Sequence, residues 1–146
     1  MAKHTSPVLW AWKPASSFTL FAVRLPELLV DLKIAKETNS MRKVLQKYMR
    51  FELLIMDEWM FIKCAQDEQF DLLKLIHNRS TSGSLIFCSQ LRVDGWYEQL
   101  GGASTPLADA IMDSIVHSSC QLNIQPHNQS KDISMRESYG PKALNE

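Results

Sequence analysis

Glycine is scarce in this chain, with five in 146 residues and the first at position 83. Phosphate-wrapping loops are built on glycine, and nothing here matches G-x-x-x-x-G-K-[ST]. Net charge is absent too, because sixteen basic residues balance sixteen acidic ones. No global field therefore draws the chain to nucleic acid or to an anionic membrane, and any such contact has to be local. The three cysteines, Cys64, Cys88 and Cys120, are odd in number and far apart, with no CxxC or HExxH spacing. That supports neither a zinc site nor a disulfide framework, and they read as small buried hydrophobes in a reducing cytosol. Long hydrophobic runs are missing as well. "PVLWAW" at 7–12 is too short for a signal-peptide core or a membrane span, so a soluble, cytoplasmic protein with no membrane contact is expected.

What is present suits one globular domain, 45% hydrophobic and 22% charged. Residues 1–17 have no sustained period and read as an irregular arm. "FTLFAVRL" (18–25) is β-branched and aromatic, which predicts a strand. Pro26 fits the first turn of a helix in which Leu25, Leu28, Leu29 and Leu32 share a face. The pattern breaks at 38–40 and resumes in a second amphipathic helix over 41–50, whose other face carries Arg42, Lys43, Lys47 and Arg50.

"LLIMD" (53–57) predicts a strand of the kind buried on both faces of a parallel sheet. "QDEQFDLLKLIHNRSTSG" predicts a helix with acidic residues in its first turn. "SLIFCSQ" (84–90) predicts another strand, then a loop containing Gly95, Gly101 and Gly102. Thr105 and Pro106 open a helix with Leu107, Ile111 and Ile115 on one face. "CQLNIQ" (120–125) alternates and predicts an edge strand, and residues 126–146 form a polar tail.

Strands alternating with helices over one domain indicate an α/β fold with a mostly parallel sheet, whose ligands gather at the carboxyl ends of the strands. Asp57, Glu58, Ser89 and Gln90 fall at such ends. An apolar strand closing on Asp-Glu is what a P-loop nucleotide hydrolase needs: one carboxylate to hold magnesium, usually through water, and a second to orient and deprotonate the attacking water. Apolar strands also end in acidic residues for solvation alone. Gln90, at the end of the neighbouring strand, could hold the water or sense the γ-phosphate, or simply begin a loop.

The segments "LPELLVDLKIAK", "RKVLQKY", "LLIMDEW", "IFCSQ", "GWYEQLG", "LADAIMDSIVH" and "SMRE" occur in this order between about 18 and 137. Together they resemble the IstB-like ATP-binding proteins, the AAA+ helper ATPases of bacterial insertion sequences, near the DnaC helicase loaders. The resemblance implies a P-loop NTPase-like fold, a three-layer parallel sheet that here lacks its first strand and P-loop, with residues 18–125 as a partial ATPase domain. It implies ATP and Mg2+ as cofactors, and DNA, transposase and further copies of the chain as partners. By position, Asp57 resembles the Walker B magnesium ligand, Glu58 the catalytic base, and Gln90 the first sensor. Arg136 resembles a late phosphate sensor.

Two positions depart from the family pattern. Before "FTLFAVRL" the family has a further strand, GxxGxGK[ST] and a helix, where these residues show only 1–17. "PVLWAW" cannot stand in, since "KPASS" is far shorter than the roughly dozen-residue crossover a parallel pair requires. In "MDSIVH", Ser114 occupies a position where the family reads arginine. The family's strand order places the absent strand between "IFCS" and the last strand, so a gap or a displaced final strand is expected. A reading of another class is a non-catalytic module that binds a full-length helper ATPase or the transposase. His77 and His117 lack partner spacing and receive no metal or catalytic role. Trp96 and Tyr97 are expected to pack on a neighbouring helix.

Overall fold

The computed structural model describes residues 18–102 and 105–124. Three parallel strands, β1 (Leu20–Arg24), β2 (Leu53–Asp57) and β3 (Ser84–Phe87), form a sheet in the order β1-β2-β3. Between β1 and β2 run α1 (Leu25–Glu37) and α2 (Met41–Met49), and α3 (Gln66–Ser80) links β2 to β3. After β3 come α4 (Val93–Gln99) and α5 (Pro106–Val116). The α/β fold with a parallel sheet is as the periodicities predict.

Local chemistry sets the helix ends. Pro26 lies in the first turn of α1, where its missing N–H costs nothing. Asn39 takes a left-handed φ of 51°, and the N–H of Ser40 reaches back to the carbonyl of Ala35 while that of Asn39 reaches Lys36. This pair of bonds closes the carbonyls left open by α1 and turns the chain into α2. Glu68 accepts the N–H of Ala65 at the start of α3, and the Thr105 hydroxyl accepts that of Ala108 at the start of α5.

The core is one-sided. Val23, Leu54 and Met56 are buried with Leu25, Leu28, Leu29 and Leu32 of α1, Leu72, Leu75 and Ile76 of α3, and Ile111 and Ile115 of α5. Phe21, Leu85 and Phe87 pack against this cluster from the same face of the sheet. On the other face, Ala22, Ile55 and Ile86 stand in register, and Ile86 is 45% exposed. The strand expected to be buried on both faces is therefore covered on one, and the third layer is not among the described residues.

Three expectations are corrected. Residues 120–124 form no strand, and Leu122 and Ile124 are 88% and 95% exposed. The alternating pattern is real, but a strand needs a neighbour to satisfy its backbone, and among the described residues nothing pairs with β3 on that side. The stretch around Gly95 is the short helix α4 rather than a loop, because Trp96 gains more by burial than one helical glycine costs. Only Cys64 is buried; Cys88 and Cys120 are exposed.

At the amino ends of the strands, Arg79 holds the sheet to α2. It is fully buried, and its guanidinium donates to the carbonyls of Tyr48, Met49, Phe51, Glu52 and Ser84 at 2.5–3.5 Å. Burial lowers its pKa. Five carbonyl dipoles, two of them from the C-terminal end of α2, replace the carboxylate that a buried cation usually requires.

Candidate functional site

Asp57 ends the central strand and is exposed; Glu58 follows it and is half-buried. The chain then turns in an uncommon way. Glu58 and Met60 both hold left-handed backbone, with φ of 53° and 55°, although neither is glycine. Such residues persist only where surroundings over-determine them, and they concentrate at functional sites. The surroundings here are explicit. An Asp57 carboxylate oxygen accepts the N–H of Glu58 at 2.8 Å, and the N–H of Trp59 donates to the carbonyl of Cys88 at 2.8 Å. The Ser89 hydroxyl donates to the Trp59 carbonyl at 2.7 Å.

The Trp59 ring is the anchor. It is fully buried, edge-on to Phe87 at 4.6 Å and to Trp96 at 6.2 Å. Its indole N–H has no hydrogen-bond partner among the described residues, a cost accepted for the packing. The tryptophan that follows the two carboxylates thus pins the turn that displays them. Trp96 is buried as expected, though its ring meets Trp59 of the turn rather than a helix, and its indole donates to the Ser89 hydroxyl at 3.1 Å.

The structure brings some of the expected residues together and separates others. Asp57 and Glu58 are adjacent at the carboxyl end of the sheet. Ser89 is wired into their turn, whereas Gln90 is exposed and makes no hydrogen bond among the described residues. Cys88 stands close enough to Asp57 for that charge, after burial, to raise its thiol pKa. Ser114 bonds back to the Ala110 carbonyl within α5. Arg136 lies outside the described residues.

Sequence reasoning missed Arg24, whose Nη1 lies 3.5 Å from a Glu58 carboxylate oxygen and whose Nε donates to Glu27 at 3.2 Å. The only signal for it was its place at the end of a strand beside Asp57, which needs the sheet register to be seen.

The donor set suits a hard cation in part. Two carboxylates at a solvent-open position are adequate for magnesium, which keeps most of its waters. Among the described residues no group of three or more His, Cys, Asp or Glu could form a closed metal cage. For the triphosphate the fit is poor. These 146 residues contain no glycine-rich loop followed by Lys-Ser or Lys-Thr, and Arg24 is committed to two carboxylates. Among the described residues no helix is long and apolar enough to cross a membrane.

Known proteins resemble the chain in sequence and in fold. The chain is 30% identical over 101 residues to the insertion sequence ATP-binding protein y4pL of Sinorhizobium fredii, covering 69% of this chain and 40% of that protein. It is 31% identical over 101 residues to the insertion sequence IS21 ATP-binding protein of Pseudomonas aeruginosa, covering 69% and 37%. The chain thus spans about two-fifths of the length of these curated relatives. Among solved structures, a DNA replication initiation factor superposes with a TM-score of 0.52 at 12% identity, over 63% of this chain and 28% of that one. AMPPCP-bound DnaA from Aquifex aeolicus gives 0.51 at 13% identity, with the same coverage. Those two likenesses establish the fold alone, an α/β fold of the P-loop NTPase type. The family described as IstB-like ATP binding protein matches residues 15–137, and the chain belongs to it.

Proposed function

We propose that these residues form the cation-binding and water-activating side of an IstB-like ATPase site that serves DNA transposition. The observation that carries this reading is the Asp57–Glu58 pair, displayed at the carboxyl end of the central parallel strand by a turn locked on both sides. In this reading Asp57 holds Mg2+ and Glu58 is the general base. Gln90 and Arg136 would be the residues that sense the phosphates of a bound nucleotide. Bound magnesium would supply charge neutralisation at the β and γ oxygens, and the chain's own part is to fix two oxygen donors and a base.

The phosphate side of the site is not found in these residues. A triphosphate would meet two carboxylates without the glycine-rich loop and its lysine, which these residues do not contain, and with Arg24 already committed to acids, so ATP binds weakly and is not turned over by this chain alone. Ser114, where the family reads arginine, withholds a further cation. DNA contact would fall on the exposed face of α2, where Arg42 and Lys43 make no ion pair among the described residues. Self-association and contact with a transposase, in the cytoplasm, belong to the same reading.

One observation favours the second reading, a non-catalytic module that binds a full-length helper or the transposase: the Ala22–Ile55–Ile86 face of the sheet, which no layer covers among the described residues. Calorimetric titration of the purified chain with ATP and magnesium, beside an Asp57→Ala variant, separates the two. Millimolar ATP binding that weakens in the variant supports the site reading. Micromolar binding lost in the variant would show that another element cradles the phosphates. Identical behaviour of the two proteins would favour the interaction module.

A further inference from the structure

The face of the sheet that no layer covers among the described residues is not uniform. Side chains alternate along each strand, so Leu20, Leu53 and Ser84 form one row on it, Ala22, Ile55 and Ile86 the next, and Arg24 and Asp57 the row at the carboxyl ends. Its apolar part therefore lies toward the amino ends, where Leu20, Leu53 and Ile55 are half-buried and Ile86 is 45% exposed. The carboxylates stand at the opposite end.

What arrives at the amino ends is the chain itself. The Thr19 carbonyl accepts the N–H groups of Glu52 and Leu53, and the Thr19 N–H donates to the Glu52 carboxylate at 2.7 Å, which pins the start of β1. Phe18, 43% exposed, immediately precedes it. Only "KPASS" (13–17) separates Phe18 from "PVLWAW" (7–12), which lies outside the described residues and has no part in the ATPase reading. That hexapeptide carries Val8, Leu9, Trp10 and Trp12, and in an extended chain Val8, Trp10 and Trp12 share one side. Five linking residues reach at most roughly 17 Å, enough for the hexapeptide to fold back from β1 across a three-stranded sheet about 10 Å wide.

Area separates a tethered occupant from a free one. Two rows on three strands make a patch on the order of 100 Å². A stable dimer takes about 800 Å² from each partner, so this patch alone does not hold a second copy. A segment joined to β1 has its effective concentration set by the short link, so a small apolar contact suffices. We propose that residues 7–12 of the same chain cover this face, with Trp10 and Trp12 against Ile55 and Ile86. The inference does not depend on the reading of Asp57 and Glu58, and any partner docking on this face has to displace the segment first.

The test is an NMR measurement on the full chain, isotope-labelled at the isoleucine methyls and the tryptophan indoles. Cross-relaxation is expected between the Trp10 and Trp12 indoles and the Ile55 and Ile86 methyls, with signals assigned through Trp10→Phe, Trp12→Phe, Ile55→Val and Ile86→Val. Ile86→Asp should release the segment and raise acrylamide quenching of tryptophan fluorescence about twofold, since Trp59 and Trp96 stay buried and the added access is all at Trp10 and Trp12. Val30→Asp, at a 55% exposed position of α1, should leave quenching unchanged. Thermal melts report whether each variant folds, and Ile86→Thr serves should Ile86→Asp fail.

Contacts within one chain, together with the rise in quenching, support the inference. Contacts found only between differently labelled chains in a mixed sample would give the face to a second copy and overturn it. The absence of contact to both isoleucines overturns it whatever the quenching, as does a parent whose quenching the Ile86 variants leave unchanged.

Discussion

The two ends of this three-stranded sheet are built on opposite terms. At the amino ends, Arg79 is wholly buried and its terminal nitrogens are saturated by five carbonyls. Gly83 is required beside it, because a Cβ there would lie 2.6 Å from a guanidinium nitrogen. At the carboxyl ends the charges are exposed, Arg24 is shared between acids, and two non-glycine residues hold left-handed backbone. One end spends its polar groups on holding the fold. The other keeps them available to solvent and carries strain to do so, which is the division expected when stability and chemistry occupy opposite edges of one sheet.

Breaking the buried end should have the largest effect. Arg79→Met removes the cation that joins α2, β2 and β3 and leaves five carbonyls without their donor, and urea denaturation should register a loss of about 3–5 kcal/mol. Gly83→Ala keeps every bond but forces the guanidinium aside. The same measurement should show about 1–3 kcal/mol, and a neutral result would mean that Arg79 has room the geometry does not reveal.

A smaller effect is expected on the flank of the sheet, where the Tyr48 hydroxyl donates to Asp31 at 2.6 Å. Tyr48→Phe should cost about 1 kcal/mol. The same contact carries a pH signature. Burial, then the bond to Asp31, raises the Tyr48 pKa above its ordinary 10.0. Its contribution is therefore complete below pH 10.0 and declines as the pH rises beyond that value. Denaturation between pH 9 and 11 should show the unaltered protein losing stability faster than Tyr48→Phe.

The smallest change in stability should come from the exposed end. Asp57→Asn and Glu58→Gln are expected to stay within about 0.5 kcal/mol of the parent in the same assay. Losing several kcal/mol at either position would contradict the contrast between the two ends, since it would give the carboxylates a structural duty.

Most of the helices and all three strands were legible in the sequence, because each has a period that matches its environment. Leu25, Leu28, Leu29 and Leu32 predicted the buried face of α1, and all four are buried. The Asp57–Glu58 pair was legible for the same reason, as the point where an apolar strand stops. What escaped was set by distant neighbours. Gly95 sits in a helix because Trp96 packs on Trp59, and residues 120–124 form no strand because none of the described residues pairs beside them. Gln90 looked equivalent to Ser89 as a strand-end polar residue, yet only Ser89 reaches the turn.

By itself, then, the order of residues settled the alternation of strands and helices, the family, and which carboxylates stand at a strand end. These are local patterns, and spacing alone carries them. Only the tertiary structure decided that one face of the sheet has no covering layer among the described residues, that Arg79 is a buried staple rather than a surface cation, and that Arg24 leans on Glu58. Each of those depends on the register between strands some 30 residues apart, as Leu20 pairs with Leu53 and Leu53 with Ser84. Side-chain period says which way a residue faces along its own strand, but only the pairing says what it faces.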